Sequence, residues 1–330
     1  MPVDRDVVPH RLLVTGRRVI RAVVRPMPGG VADRLRSSPP PPGRLRRALL
    51  TALRHGGIPA AVPTFSLPDN PARSFVRADS LVLAQLYWFG ERGWEPELLP
   101  WWRYLCRQAS GVLELGTNIG YFAVQGARAA PGVAYTAVEP HPVSLALCRA
   151  NLDLNGVTSV KLVAAAAVAQ PTGPARLVVP HDQLTAPTVA FVAGDGELPP
   201  GMAGPVAATI EVPTVDVRTL LPGVDLVKLD VEGQEHALLA AAEDHLQAHR
   251  PTVVVEVLPN TRRLRRVLAR MCRELGYDCY VPRPGRLVRL HPDRLDTVAL
   301  LDEYGVQDLV LSGDPALPLT VAELGPAGRP

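Results

Sequence analysis

From residue 111 onward, short and almost unbroken apolar runs alternate with amphipathic stretches of helical length. The runs are "GVLELG" at 111–116, "VAYTAVE" at 133–139, "VKLVAAAAV" at 160–168, "VDLVKLDV" at 224–231 and "TVVVEVL" at 252–258. The helical stretches are 119–130, 142–156, 235–249 and 261–275. Strands that are apolar on both sides must be covered on both faces. With helices alternating between them, this predicts an α/β fold built on a doubly wound, mostly parallel sheet. Pro142 marks one helix start, and Asn155-Gly156 marks its stop. Strand-like pieces at 175–180, 189–192, 208–215, 278–282, 286–290 and 307–312 complete the domain. Ligands of such sheets bind beyond the carboxyl ends of the strands.

The upstream sequence has a different character. Residues 1–60 hold twelve Arg against three Asp, a net +9 in a chain of net +3, so the remainder is −6. Two basic amphipathic segments, around 10–25 and 44–54, flank "SSPPPP" at 37–42, which cannot be helix interior. Such an arm suits either a solvated helical face or an anionic partner. Residues 78–108 read as helical and contain Trp88, Trp94, Trp101 and Trp102, for packing or for a lid. The expected divisions are a basic leader with a Pro-rich linker over 1–60, a helical cap over 61–110, the main domain over 111–313 and a tail over 314–330. Cys106, Cys148, Cys272 and Cys279 form no C-x-x-C pair and complete no zinc spacing. The first thirty residues are broken by Arg11, Arg17, Arg18, Arg21 and Arg25, and no run approaches about 18 apolar residues. Together these features predict a cytoplasmic protein with reduced thiols and no membrane span.

The run "LELGTNIGYF" at 113–122 ends a strand in a tight turn. A nucleoside triphosphate loop requires G-K-[ST], whereas Gly120 is followed by Tyr121 and Phe122. A dinucleotide loop requires a second Gly where Asn118 stands, so that the backbone can approach a pyrophosphate. A ligand without phosphate, such as S-adenosyl-L-methionine, removes that objection. Glu139 ends the second strand 23 positions after Gly116, placed for a ribose hydroxyl pair. Glu114, beside the turn, is placed to receive an ammonium group.

Further on, Lys228, Asp230 and Glu232 fall at i, i+2 and i+4 of one strand, on one face. Three charges on a central strand must pair with one another or serve a site. Lys228 is one of two lysines, with Lys161, in a chain that otherwise uses Arg. His236 opens the next helix. Asp230 and Glu256 end adjacent strands with oxygen ligands of the kind Mg²⁺ takes, but a pair of carboxylates is a weak metal signal and no metal is assigned. His181 and Asp182 occupy a Pro-bounded loop, as acceptor contacts or plain loop polarity.

Three blocks resemble the FkbM-type family of S-adenosylmethionine-dependent methyltransferases: "LELGTNIGYFA" at 113–123, "AVEPHPVSLALCRANLDLNG" at 137–156, and "DLVKLDVEGQEHALLAAA" at 225–242 followed by "RPTVVVEV". "GWEPEL" at 93–98 adds to the likeness, which covers roughly 90–313. Glu114 and Thr117 stand where the family usually has Asp and Ala, and the leader has no counterpart. The resemblance implies a class I methyltransferase fold (Rossmann-like) and methyl transfer to an oxygen of a small natural product, sugar or lipid-like acceptor. On this reading Glu114, Gly116, Asn118, Gly120 and Glu139 hold the cofactor, which leaves as S-adenosyl-L-homocysteine. The backbone near Ala166 and Ala167 flanks adenine. Asp230 or His236, with Glu232 beside them, takes the acceptor's proton. Two other readings are a nicotinamide-dependent oxidoreductase on the same sheet, against which Asn118 argues, and a nucleic-acid or other N-methyltransferase using the basic arm. The latter lacks an [ND]-P-P-[YFW] block, since the corresponding strand ends in "LDVEG". Oligomeric state has no signature in the sequence.

Overall fold

The computed structural model describes residues 22–37, 53, 56–180, 186–187, 190–194, 206–259 and 261–324. Most of the basic leader, the prolines of its linker, and His181 and Asp182 lie outside the described residues. The chain divides into two compact units, Met1–Trp94 with Leu184–Thr188, and Glu95–Gln183 with Val189–Pro330.

In the first unit, helix α1 (Gly29–Ser37), the antiparallel pair β1 (Thr64–Ser66) and β2 (Ser74–Val76), and helix α2 (Leu81–Phe89) enclose a small aromatic core. Ser80 caps α2 by accepting from Leu83 N. Phe65 packs edge-on to Tyr87, and the Arg36 guanidinium lies 4.1 Å from the centre of the Tyr87 ring.

The second unit begins with helix α3 (Leu99–Gln108) and then builds the sheet. Its elements in order are β3 (Gly111–Leu115), α4 (Tyr121–Ala129), β4 (Ala134–Val138), α5 (Pro142–Leu154) and β5 (Val160–Val163). Next come the short strands β6 (Ala166–Val168), β7 (Ala175–Pro180), β8 (Phe191–Val192), β9 (Val206–Val212) and β10 (Thr214–Asp216). The chain then returns through β11 (Leu226–Leu229), α6 (Glu235–Ala241), α7 (Glu243–His249), β12 (Thr252–Glu256), α8 (Arg262–Glu274), β13 (Asp278–Arg283), β14 (Arg286–Leu290) and β15 (Asp308–Ser312). The main sheet has the order β14-β13-β15-β12-β11-β3-β4-β5. Its five strands from β12 to β5 are parallel, as expected, and β15, β13 and β14 join as an antiparallel edge. From β3 the chain winds outward to β4 and β5, then returns to β11 and winds the other way to β12. The reversal between β3 and β11 is the topological switch point, where open α/β sheets bind ligands.

Two sequence expectations are corrected. The run 160–168 is not one strand: β5 stops at Val163, and β6 pairs in parallel with β10 in a separate two-stranded sheet. Alanine is a poor strand former, and the chain turns at Ala164–Ala165 so that Ala166 N reaches Pro213 O. The helix expected over 235–249 is two helices that meet at Ala242, where Glu243 and Asp244 open the second with acids favourable to its N-terminus. Three of the four tryptophans serve packing. Trp88, Trp101 and Trp102 are buried, and Trp102 Nε1 donates to Phe122 O at 2.9 Å. The segment after β15 returns to the sheet edge through a bridge between Arg286 and Thr320.

Candidate active site at the strand switch point

The turn after β3 packs against the end of β11 with no space between the backbones. Asp230 N donates to Leu115 O at 3.0 Å, and a Cβ on Gly116 would lie 1.8 Å from Asp230 O. Gly116 also has φ +82°, so both its conformation and its contact require glycine. A Cβ on Gly120 would lie 2.6 Å from Cys148 Sγ of α5. Asn151 of the same helix donates through Nδ2 to Ile119 O at 2.8 Å. The turn is thereby pinned between α5 and β11. Asn118 takes the left-handed conformation at φ +51°, which asparagine adopts more readily than most residues.

Glu139 sits at the end of β4 and faces the turn. Its Oε2 accepts from Asn118 N and its Oε1 from His141 N, each at 2.8 Å. Burial pushes this carboxyl up to about 7, against the lowering effect of those two amides. Glu114 lies inside the sheet, 1% exposed, and accepts from Tyr135 Oη at 2.5 Å. Burial raises its pKa, partly opposed by the Lys228 ammonium. Ala166 and Ala167 are buried in β6.

On the other side of the switch point, Lys228 is 2% exposed and pairs with Asp230 Oδ2 at 2.9 Å. Its Nζ also lies 4.8 Å from the centre of the Phe122 ring. Burial works against the ammonium, but Asp230, Glu95, Asp308 and Glu114 more than reverse this and hold it charged. β11 ends at Leu229, so Asp230 and Glu232 stand on the loop beyond it rather than on the strand, and Glu232 has φ +58°. Glu235 ties that loop down by accepting from Val231 N at 2.9 Å and from Gly233 N at 3.0 Å. His236 follows at the start of α6, with its Nδ1 buried and without a hydrogen-bond partner. Glu256, at the end of β12, accepts from Gln307 Nε2 at 2.8 Å. Burial and the neighbouring acids push Glu232 and Glu256 well above the usual carboxylate range.

The structure therefore brings Gly116, Asn118, Gly120 and Glu139 to one side of the switch point. Asp230, Glu232 and Glu256 lie on the other side, each with a carboxylate oxygen within 4.8 Å of the other two. Asp308, Gln307 and Tyr135 also belong to this neighbourhood. Asp308 faces Glu256 across the β12–β15 pair, and burial pushes it up to about 6. Sequence alone gave no sign of these three: the antiparallel edge brings Gln307 and Asp308 to Glu256 from about fifty positions away, and strand pairing brings Tyr135 of β4 to Glu114.

The model for the methyltransferase FkbM domain matches residues 114–279, about half of the chain. No curated protein matches. Among solved structures, the methyltransferase FkbM from Methylobacillus flagellatus KT is 15% identical over 62% of this chain, with a TM-score of 0.37. This chain covers only 43% of that one. The O-methyltransferase from Bacillus cereus in complex with S-adenosylhomocysteine is 11% identical over 66% of this chain and 80% of its own, with a TM-score of 0.36. The O-methyltransferase TomG from Streptomyces achromogenes, involved in tomaymycin synthesis and solved with S-adenosylmethionine, is 14% identical over 65% and 77%, with a TM-score of 0.35. With the switch-point turn, the parallel core of the sheet and the domain match together, the chain belongs to the FkbM family of S-adenosylmethionine-dependent methyltransferases.

Proposed function

We propose that the chain transfers a methyl group from S-adenosylmethionine to a hydroxyl of a small molecule, such as a natural product, sugar or lipid-like acceptor. The observation that carries this reading is the carboxylate on the turn. In a dinucleotide site the turn amides face a pyrophosphate. Here Asn118 N already donates to Glu139, and a second anion would be repelled. A cationic ligand with a ribose suits the same place, because Glu139 has further lone pairs for ribose hydroxyls. This counts against a nicotinamide cofactor.

When bound, the cofactor supplies a methyl group already activated by its positive sulfur. The protein's part is alignment and proton removal. Gly116 and Gly120 keep the turn close to the sheet, Asn118 and Glu139 hold the ribose side, and the backbone at Ala166 and Ala167 flanks adenine. Glu114 lies behind the turn, where its charge favours a nearby ammonium. Asp230 is engaged by Lys228 and orients the acceptor, with Glu232 beside it. His236, with Nδ1 unengaged, takes the hydroxyl proton as the oxygen–carbon bond forms and the carbon–sulfur bond breaks. On this reading the catalytic domain is 111–313, preceded in sequence by a cap over 61–110 and a leader over 1–60. Calorimetry tests the central point. S-adenosylhomocysteine should bind, NADH should not, and the reverse result would overturn the reading.

A further inference from the structure

We propose that Asp230, Glu232 and Glu256 form a site for one hard divalent cation of the magnesium or manganese class. They come from three separate backbone positions: the step after β11, the left-handed residue of the following loop, and the last residue of β12. Each offers one oxygen, and the three oxygens lie within 4.8 Å of one another. That spacing suits a shared shell of oxygen ligands at about 2.0–2.6 Å from an ion.

A second observation distinguishes this group from an ordinary acidic cluster. Gln307 Nε2 holds Glu256 Oε1 at 2.8 Å. The other oxygen, Oε2, is buried and has no hydrogen-bond partner. An oriented carboxylate with one sealed, unused oxygen matches a metal ligand steadied by a neighbour. Lys228 does not meet this need, since it is already paired with Asp230. Asp308 lies opposite Glu256 and deepens the negative field. Leaving several carboxylates together in a partly buried place is costly unless a cation joins them.

All-carboxylate donors select hard cations over zinc or copper. Three protein oxygens fill about half of an octahedral shell, leaving positions for water or acceptor oxygens. Binding of the ion is independent of the methyl-transfer reading, while its use in holding the acceptor hydroxyl rests on that reading.

The test is titration calorimetry of the full-length, EDTA-treated protein with MnCl₂, MgCl₂ and ZnCl₂, without cofactor or acceptor. One saturable manganese or magnesium site per chain is expected. Glu256→Gln and Glu232→Gln should abolish it, and Gln307→Ala should weaken it about 10- to 100-fold. Glu243→Gln, on the helix before β12, should leave it unchanged. Melting curves on the same samples show whether each variant is folded, and Glu232→Gln serves if Glu256→Gln is not. Absence of a saturable site in the wild type overturns the proposal, as does zinc binding alone or unchanged binding in both Gln variants. A thermal shift with S-adenosylhomocysteine separates the two readings. A shift without metal binding sinks the ion alone, and metal binding without a shift sinks the methyltransferase site alone.

Discussion

At the scale of single residues, the switch point depends on what a glycine does without. Gly116→Ala would press a Cβ to 1.8 Å from Asp230 O, which is backbone and cannot rotate away. Gly132 has a similar positive φ, +93°, but open space around its missing Cβ. Gly132→Ala should therefore cost only the left-handed conformation, about 1–2 kcal/mol. Gly116→Ala should cost that and the overlap, about 2–5 kcal/mol in all. Urea unfolding of the two variants measures the difference, and equal losses would mean that the turn and β11 separate easily. Glu139→Ala removes a charge-assisted acceptor from the ribose side. Affinity for S-adenosylhomocysteine should fall by about 1.5–3 kcal/mol, roughly 10- to 150-fold. A loss under about twofold would make Glu139 a support for the turn and no more.

At the scale of elements, the backbone of the loop after β11 is tied down by the Glu235 side chain. Glu235 accepts from Val231 N and Gly233 N, so it ties the start of α6 to the segment that carries Asp230 and Glu232. Glu235→Ala would leave two amides unpaired, at about 1–3 kcal/mol of stability. Hydrogen exchange should speed up at Val231 and Gly233 and stay unchanged in the middle of β11. Uniform acceleration across β11 would instead show a general loss of stability. These elements also mark what the sequence could reveal. β3, β4, β11 and β12 were legible because central parallel strands are continuous apolar runs, and α5 because Pro142 and Asn155-Gly156 bracket it. The break between β5 and β6 was not legible. Val160–Val168 is apolar but for Lys161, and the pairing of β6 with β10 decides that the chain turns away. The antiparallel edge hid Gln307 and Asp308 for the same reason: the partner of Glu256 is set by tertiary pairing, and nothing near either residue announces it. Glu114 looked open to the site from its position alone, and Tyr135 on the neighbouring strand is what encloses it.

At the scale of the whole molecule, the buried acids couple stability and cofactor binding to pH in opposite directions. Glu139 titrates at about 7 in the folded chain, against 4.5 for an ordinary glutamate. Between those values the folded chain keeps a proton that the unfolded chain has released. Stability therefore falls as pH rises from 4.5 to 7, by about 3 kcal/mol from this group. Asp308, pushed up to about 6, acts in the same sense. The cofactor's ribose favours the ionised carboxylate, so affinity should rise over the upper part of the same range and flatten above about pH 8. Free protein should melt at a higher temperature at pH 5.5 than at pH 7.5, while the shift produced by saturating S-adenosylhomocysteine should grow in the same interval. Glu139→Gln has no carboxyl to ionise. It should shrink the pH dependence of the free protein's melting temperature and remove most of the growth in the ligand shift. Scanning calorimetry of both proteins, with and without ligand, measures all four curves. If the ligand shift grows equally in Glu139→Gln, another group carries the coupling, and the ribose contact assigned to Glu139 fails.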